Sequence, residues 1–226
     1  MIVLNFKSYK EALGRKAIKI CEKIERVYKK SEIEIVVAPQ FLDIPTIVEK
    51  FSFPVIAQHV DEVEEGKFTG SVSLLSLKEH KVIGSLLNHS EKKVELNKIE
   101  RIVKMAEKFG IKIFALASDL DESKKILKMG PYSLSYEPPE LIGSGRAVSK
   151  EKPEVLRKFI ELAEKSKIVK MAGAGISTAE DVRKALEIGC DGVLISSSFV
   201  FSKNKELFLK KIVEVFLEFD RSFPKL

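Results

Sequence analysis

Apolar residues along this 226-residue chain fall into two alternating rhythms. Short β-branched runs occur at residues 2–4, 33–38, 55–58, 82–87, 112–117, 132–136, 168–172 and 192–195, and such runs read as strands. Between them the apolar period lengthens to that of an amphipathic helix. These segments cover 13–30, 44–51, 98–109, 122–129, 153–165, 179–186 and 205–219, with a shorter candidate at 74–79. Alternating strands and helices imply parallel pairing with right-handed crossovers, and eight such units close into a (β/α)8 barrel. Helix ends are well signed. Ser177 and Thr178 precede Ala179 with Glu180 and Asp181 in the first turn, Pro153 opens a helix, and Gly110 and Gly130 close two others. With no Pro/Gly/Ser-rich linker to mark a boundary, residues 1–226 are expected to form one domain.

Composition narrows the class. The 45% hydrophobic content is ordinary, and no apolar run approaches the roughly 18 to 20 residues needed to span a bilayer, so no membrane role is expected. No basic n-region leads into an apolar stretch, which makes the cytoplasm the expected location. Cys21 and Cys190 show no metal or disulfide spacing and read as small buried hydrophobes in a reducing compartment. The net charge of +6 could suit nucleic acid or a small anion. Its distribution argues against nucleic acid. Glu22 with Arg26, Glu25 with Lys29, Glu100 with Lys104, Glu161 with Lys165 and Glu206 with Lys210 are i, i+4 pairs on solvated helix faces, and no nucleic-acid-binding motif is present. The 32% charged content without Trp fits a thermophilic protein.

A barrel of this kind carries its active site at the C-terminal ends of the strands, so candidates follow from position. Strand one ends in Asn5 and Lys7, which point to one face, and strand four runs into Asn88-His89-Ser90-Glu91. Strand six stops at Glu137, where Pro138 and Pro139 bar a helix. There follow Glu140, Leu141, Ile142, Gly143, Ser144 and Gly145, so that 138–145 reads as a lid hinged on proline and glycine. Taken singly, a strand-end Glu before Pro is commonly a surface turn and a lone His is commonly structural. Together on three strand ends they suit proton transfer beside a carbonyl: Glu137 as general base, His89 as neutral electrophile, Lys7 as electrostatic stabiliser. Ser90-Glu91 reads as a helix start whose positive end would lower the His89 pKa. Phosphate recognition fits the mouth loops Ala172-Gly173-Ala174-Gly175-Ile176-Ser177 and Ser196-Ser197-Ser198. His59 and His80 fall in no catalytic pattern.

These segments resemble the triosephosphate isomerase family over the whole chain. Asn5-Phe6-Lys7 is similar to that family's strand-one Asn-x-Lys, Asn88-His89-Ser90-Glu91 to its Gly-His-Ser-Glu, and Tyr136-Glu137-Pro138 with Ile142-Gly143-Ser144-Gly145 to its base-plus-lid motif. The resemblance implies a single-domain TIM barrel that interconverts glyceraldehyde 3-phosphate and dihydroxyacetone phosphate in glycolysis and gluconeogenesis, without metal or organic cofactor. It implies a Glu base beside a neutral His, Asn5 in the substrate site, and main-chain amides of Gly143, Gly175, Ser196 and Ser197 on phosphate. Phe68-Thr69-Gly70 resembles the loop that reaches into a neighbouring subunit, placing Thr69 at an interface. Ser196-Ser197 replaces the usual Gly-Gly, Gly175 a common serine, and Asn88 a glycine. With the Pro-Pro-Glu-Leu-Ile-Gly lid, which lacks the usual Trp, the Ala-Gly-Ala-Gly-Ile loop resembles the compact archaeal branch, which implies a homotetramer over a dimer. Alternatives are another phosphate-binding barrel enzyme, or a sugar-phosphate-binding barrel without turnover.

Overall fold

A computed structural model describes residues 1–219; the stretch 220–226 of the expected domain lies outside the described residues. In β1 (Ile2–Asn5), Ile2 and Leu4 pack among helix residues such as Ile20 and Ile24, whereas Val3 joins Val36, Leu86, Phe114, Met171 and Leu194 in a second, separate core. Period-two alternation thus fills both faces of the wall, one toward the helices and one toward the barrel interior. The same division holds for β2 (Ile35–Ala38), β3 (Ile56–Ala57), β4 (Gly84–Leu87), β5 (Lys112–Ala117), β7 (Val169–Ala172) and β8 (Gly192–Ile195), whereas β6 (Ser133–Tyr136) sends Leu134 and Tyr136 to the helix side and has the buried serines Ser133 and Ser135 at the alternate positions. All seven strand pairings are parallel in the order β2-β1-β8-β7-β6-β5-β4-β3, and a bridge between Val37 and Val55 joins the two ends. The result is a nearly closed (β/α)8 TIM barrel.

Helices alternate with the strands. They are α1 (Arg15–Tyr28), α2 (Ile44–Lys50), α3 (Leu74–Glu79), α4 (Leu96–Phe109), α5 (Leu120–Leu127), α6 (Val148–Glu151), α7 (Pro153–Ala163), α8 (Ala179–Ile188), α9 (Ser197–Val200) and α10 (Lys205–Glu218). At the expected start of α8, Thr178 and Asp181 cap the helix reciprocally, and Gly110 ends α4 in a left-handed conformation.

Several boundaries differ from the sequence expectation. Strands expected from 33, 82 and 168 start at 35, 84 and 169, because Ile33, Val82 and Ile168 are buried by packing but precede the ladder. The third strand shrinks to two residues. Asp119 caps α5 two residues early by accepting from the Glu122 N–H at 2.8 Å, and Gly130 lies beyond that helix's cap, Lys128. Neither α6 nor α9 was foreseen, being too short to show a period. Of the expected helix-face pairs, Glu25–Lys29, Glu100–Lys104 and Glu206–Lys210 form at 3.0, 2.6 and 3.0 Å. Arg26 instead reaches Glu206 across α1 and α10 at 2.9 Å. Among the described residues no helix is long and apolar enough to cross a membrane.

Candidate active site

Parallel strands bring their C-terminal ends to one face of the barrel, and the polar residues there converge. Just past β1, Asn5 Oδ1 accepts from the Lys7 N–H at 3.0 Å. Lys7 itself has φ +48°, a left-handed conformation costly for a residue with a Cβ. Gln58, at the end of the shortened third strand, holds it there. Its Nε2 donates to the Lys7 carbonyl at 3.0 Å and to the Ala38 carbonyl at 3.1 Å. The Lys7 ammonium meets Glu91 Oε1 at 2.6 Å.

Past β4, Asn88 also takes a left-handed backbone, φ +66°, which asparagine tolerates better than most residues and which accounts for glycine being common there. The expected helix start at Ser90-Glu91 is not formed. Residues 90–91 make a turn, and α4 begins only at Leu96. The His89 pKa is nonetheless lowered, to about 4, for a different reason: burial first, then the nearby Lys7 charge, with Glu91 opposing. The Glu91 N–H donates to His89 Nδ1 at 3.1 Å. Nδ1 must therefore carry a lone pair, and the ring proton of the neutral imidazole sits on Nε2.

Glu137 follows β6, with its N–H bonded to the Ala117 carbonyl at 2.8 Å. Only 4% of the residue is exposed, and Oε2 accepts no hydrogen bond among the described residues. His89 Nε2 faces this oxygen at 3.6 Å. Burial raises the carboxyl pKa to about 7 against the opposing pull of Lys7. Gly173 makes room for this carboxylate: a Cβ there would stand 1.9 Å from Glu137 Oε1.

The lid segment opens with a single 3-10 turn, Pro139–Leu141, that buries Leu141 and leaves Gly143 to Gly145 exposed. Ser144 Oγ donates to the Leu141 carbonyl at 2.8 Å and accepts from the Arg146 N–H at 3.0 Å. Glu140 pairs with Lys152. Beyond the lid, the Val148 N–H donates to the Ala174 carbonyl at 3.0 Å. That close approach explains Gly175, since a Cβ at this position would lie 1.9 Å from the Arg146 carbonyl oxygen. A serine here would displace the lid base.

Lys7, His89, Glu137, Gly143, Gly175, Ser196 and Ser197 line one cavity that is partly open to solvent. Asn5 faces the adjoining cavity, which Lys7 and His89 also line. Thr69 lines neither. It lies on an exposed loop whose neck is closed where the Asp61 N–H meets the Val72 carbonyl at 2.9 Å and Asp61 Oδ2 takes the Val72 N–H at 2.8 Å. His59 and His80 bond to Asp61 and to the Ser76 carbonyl. The support of Lys7 by Gln58 and the clearance that Gly173 gives the Glu137 carboxylate went unrecognised in the sequence, because each acts on a residue distant along the chain.

The family model described as Triosephosphate isomerase matches residues 1–215. The chain belongs to the triosephosphate isomerase family. Relatives named triosephosphate isomerase include that of Methanothermus fervidus, 40% identical over 94% of this chain and 97% of its own length. Those of Methanocaldococcus jannaschii (38% identical, covering 95% and 99%) and Pyrobaculum arsenaticum (40%, covering 95% and 96%) are similar. Membership of the triosephosphate isomerase family makes this an aldose-ketose isomerase.

Proposed function

We propose that the chain interconverts D-glyceraldehyde 3-phosphate and dihydroxyacetone phosphate through an enediolate. The observation that carries this reading is the buried, unpartnered Oε2 of Glu137 facing a histidine nitrogen that bears a proton. Burial disfavours the charged form and makes the carboxylate a stronger base, and one with a pKa near 7 is poised for reversible proton transfer at neutral pH. Glu137 takes the proton from the carbon beside the carbonyl, and the electron pair moves to the carbonyl oxygen. His89 Nε2–H donates to that oxygen and moves protons between the two oxygens. Lys7 stabilises the negative charge. Return of the proton by Glu137 to the neighbouring carbon completes the exchange of aldehyde for ketone. These steps need protein groups alone.

Gly143, Gly175, Ser196 and Ser197 line the same cavity, and we assign their main-chain amides to phosphate, with lid 138–145 closing over the enediolate to exclude water. Asn5 supports the Lys7 end. We assign Thr69 to a subunit interface in which its loop enters the Asn5–Lys7 cavity of a second copy, within a homotetramer working in the cytoplasm. Phe68 on that loop is half-exposed. A coupled assay of glyceraldehyde 3-phosphate isomerisation on metal-stripped protein tests the proposal. Turnover supports it, and binding of phosphorylated ligand without turnover overturns it.

A further inference from the structure

Behind His89 lies a buried polar network outside the cavity lining. Asn88 is 1% exposed and its amide is fully engaged. Nδ2 donates to the Leu116 carbonyl at 2.9 Å and to Glu122 Oε1 at 2.8 Å, while Oδ1 accepts from the Val94 N–H at 3.0 Å. Two acceptors face one end of the amide and a donor faces the other, which fixes its orientation. The side chain therefore ties the end of β5, the first turn of α5 and the far end of the 89–93 turn to a single point. His89 hangs on the loop so closed.

Glu122 anchors this arrangement. Its Oε1 also accepts from Lys93 Nζ at 2.5 Å, and its Oε2 accepts from the Ser118 N–H and Oγ at 2.7 and 2.6 Å. The α5 N-terminus already has its cap in Asp119, so helix formation alone does not require the Glu122 carboxylate. Four donors on two oxygens, two of them from the His89 loop, point to a duty toward that loop.

We propose that Asn88 and Glu122 are positioning residues for His89: they close the 88–94 loop so that the Glu91 N–H occupies Nδ1 and the ring proton is kept on Nε2, facing the reacting oxygens. The claim rests on the reading under Proposed function for its effect on turnover. Its effect on the imidazole is independent of that reading.

Two variants test it. Asn88→Gly keeps the left-handed backbone without strain and removes only the amide; Glu122→Gln keeps the shape but can no longer accept from all four donors. Each is expected to lower kcat by roughly 10- to 100-fold, with KM changed by less than about threefold, since a small misplacement of one group costs that much. The double variant is expected to be little worse than either single one, because both act through one clamp. Nitrogen-15 NMR of the ligand-free protein should show His89 protonated at Nε2 in the parent and a mixture of tautomers in both variants. Should Glu122→Gln fail to fold, Asn88→Gly carries the test alone. Unchanged kcat and an unchanged tautomer, with only Tm lowered, would make the network structural and overturn the proposal. Lower kcat with an unchanged tautomer, or additive losses, would overturn it too. A parent protein without isomerase activity would instead sink the functional reading, while the NMR comparison still decides the clamp.

Discussion

His89 Nε2 stands 3.6 Å from Glu137 Oε2, beyond hydrogen-bonding distance, with both side chains almost fully buried. Neither group is tied up by a direct bond to the other, and a small molecule lying alongside the pair can touch both at once.

The two groups titrate in opposite directions from their ordinary values, and the pH profile should report which one limits catalysis. A base works only when deprotonated, and Glu137 loses its proton near pH 7, whereas His89 is already neutral above about pH 4. The acidic limb of kcat/KM is therefore expected near pH 7. A limb near pH 4 would mean that Glu137 is not the group titrating.

Stability should carry the same signature. The folded Glu137 carboxyl holds its proton to a higher pH than the unfolded one, about 7 against 4.5, so the folded state binds more protons in that window and loses stability as pH rises through it. His89, lowered from 6.5 to about 4, has the contrary effect, adding stability as pH rises between those values. Above pH 7 the cost of the buried Glu137 charge is fully present. Glu137→Gln should then be more stable than the parent at pH 8 by on the order of 2 kcal/mol, or upward of about 4 °C in Tm. Calorimetry showing a less stable variant would contradict this.

Gly173 sets the position of the base. Gly173→Ala would place a methyl 1.9 Å from Glu137 Oε1 and 2.5 Å from its Cγ, so the carboxylate must move. Turnover is expected to fall about 100-fold, since a shift near 1 Å in a reacting group costs that much. Steady-state kinetics within threefold of the parent would show that the carboxylate has another place from which to act.

Phe68→Asp puts a charge on the exposed loop proposed as an interface. Light scattering should show a smaller oligomer, and kcat/KM should fall with it, because Lys7 and Asn5 would lose the neighbour that supports them. An unchanged oligomer with unchanged kinetics would take the 68–70 loop out of the interface.

Much of the fold was legible because the barrel repeats one pattern, and an error at one strand leaves the next in register. The three strand-end groups Lys7, His89 and Glu137 were legible for a related reason: each interrupts an apolar run with a polar side chain at the same end of its unit. What escaped was long-range. Gln58 supports Lys7 from 51 positions away and Glu122 supports Asn88 from 34. Gly173 reads as a turn residue until the carboxylate beside it is seen. The lowered pKa of His89 was expected, but from a helix end that is not there; burial and Lys7 cause it.

The most direct measurement is the isomerisation rate of glyceraldehyde 3-phosphate with the parent protein and with Glu137→Gln, each checked for fold and for binding of a phosphorylated ligand. Rapid turnover in the parent, lowered by at least ~10² to 10⁴ in the variant with binding retained, is the predicted result. Equal rates in the two proteins, or none in the parent, would contradict the account.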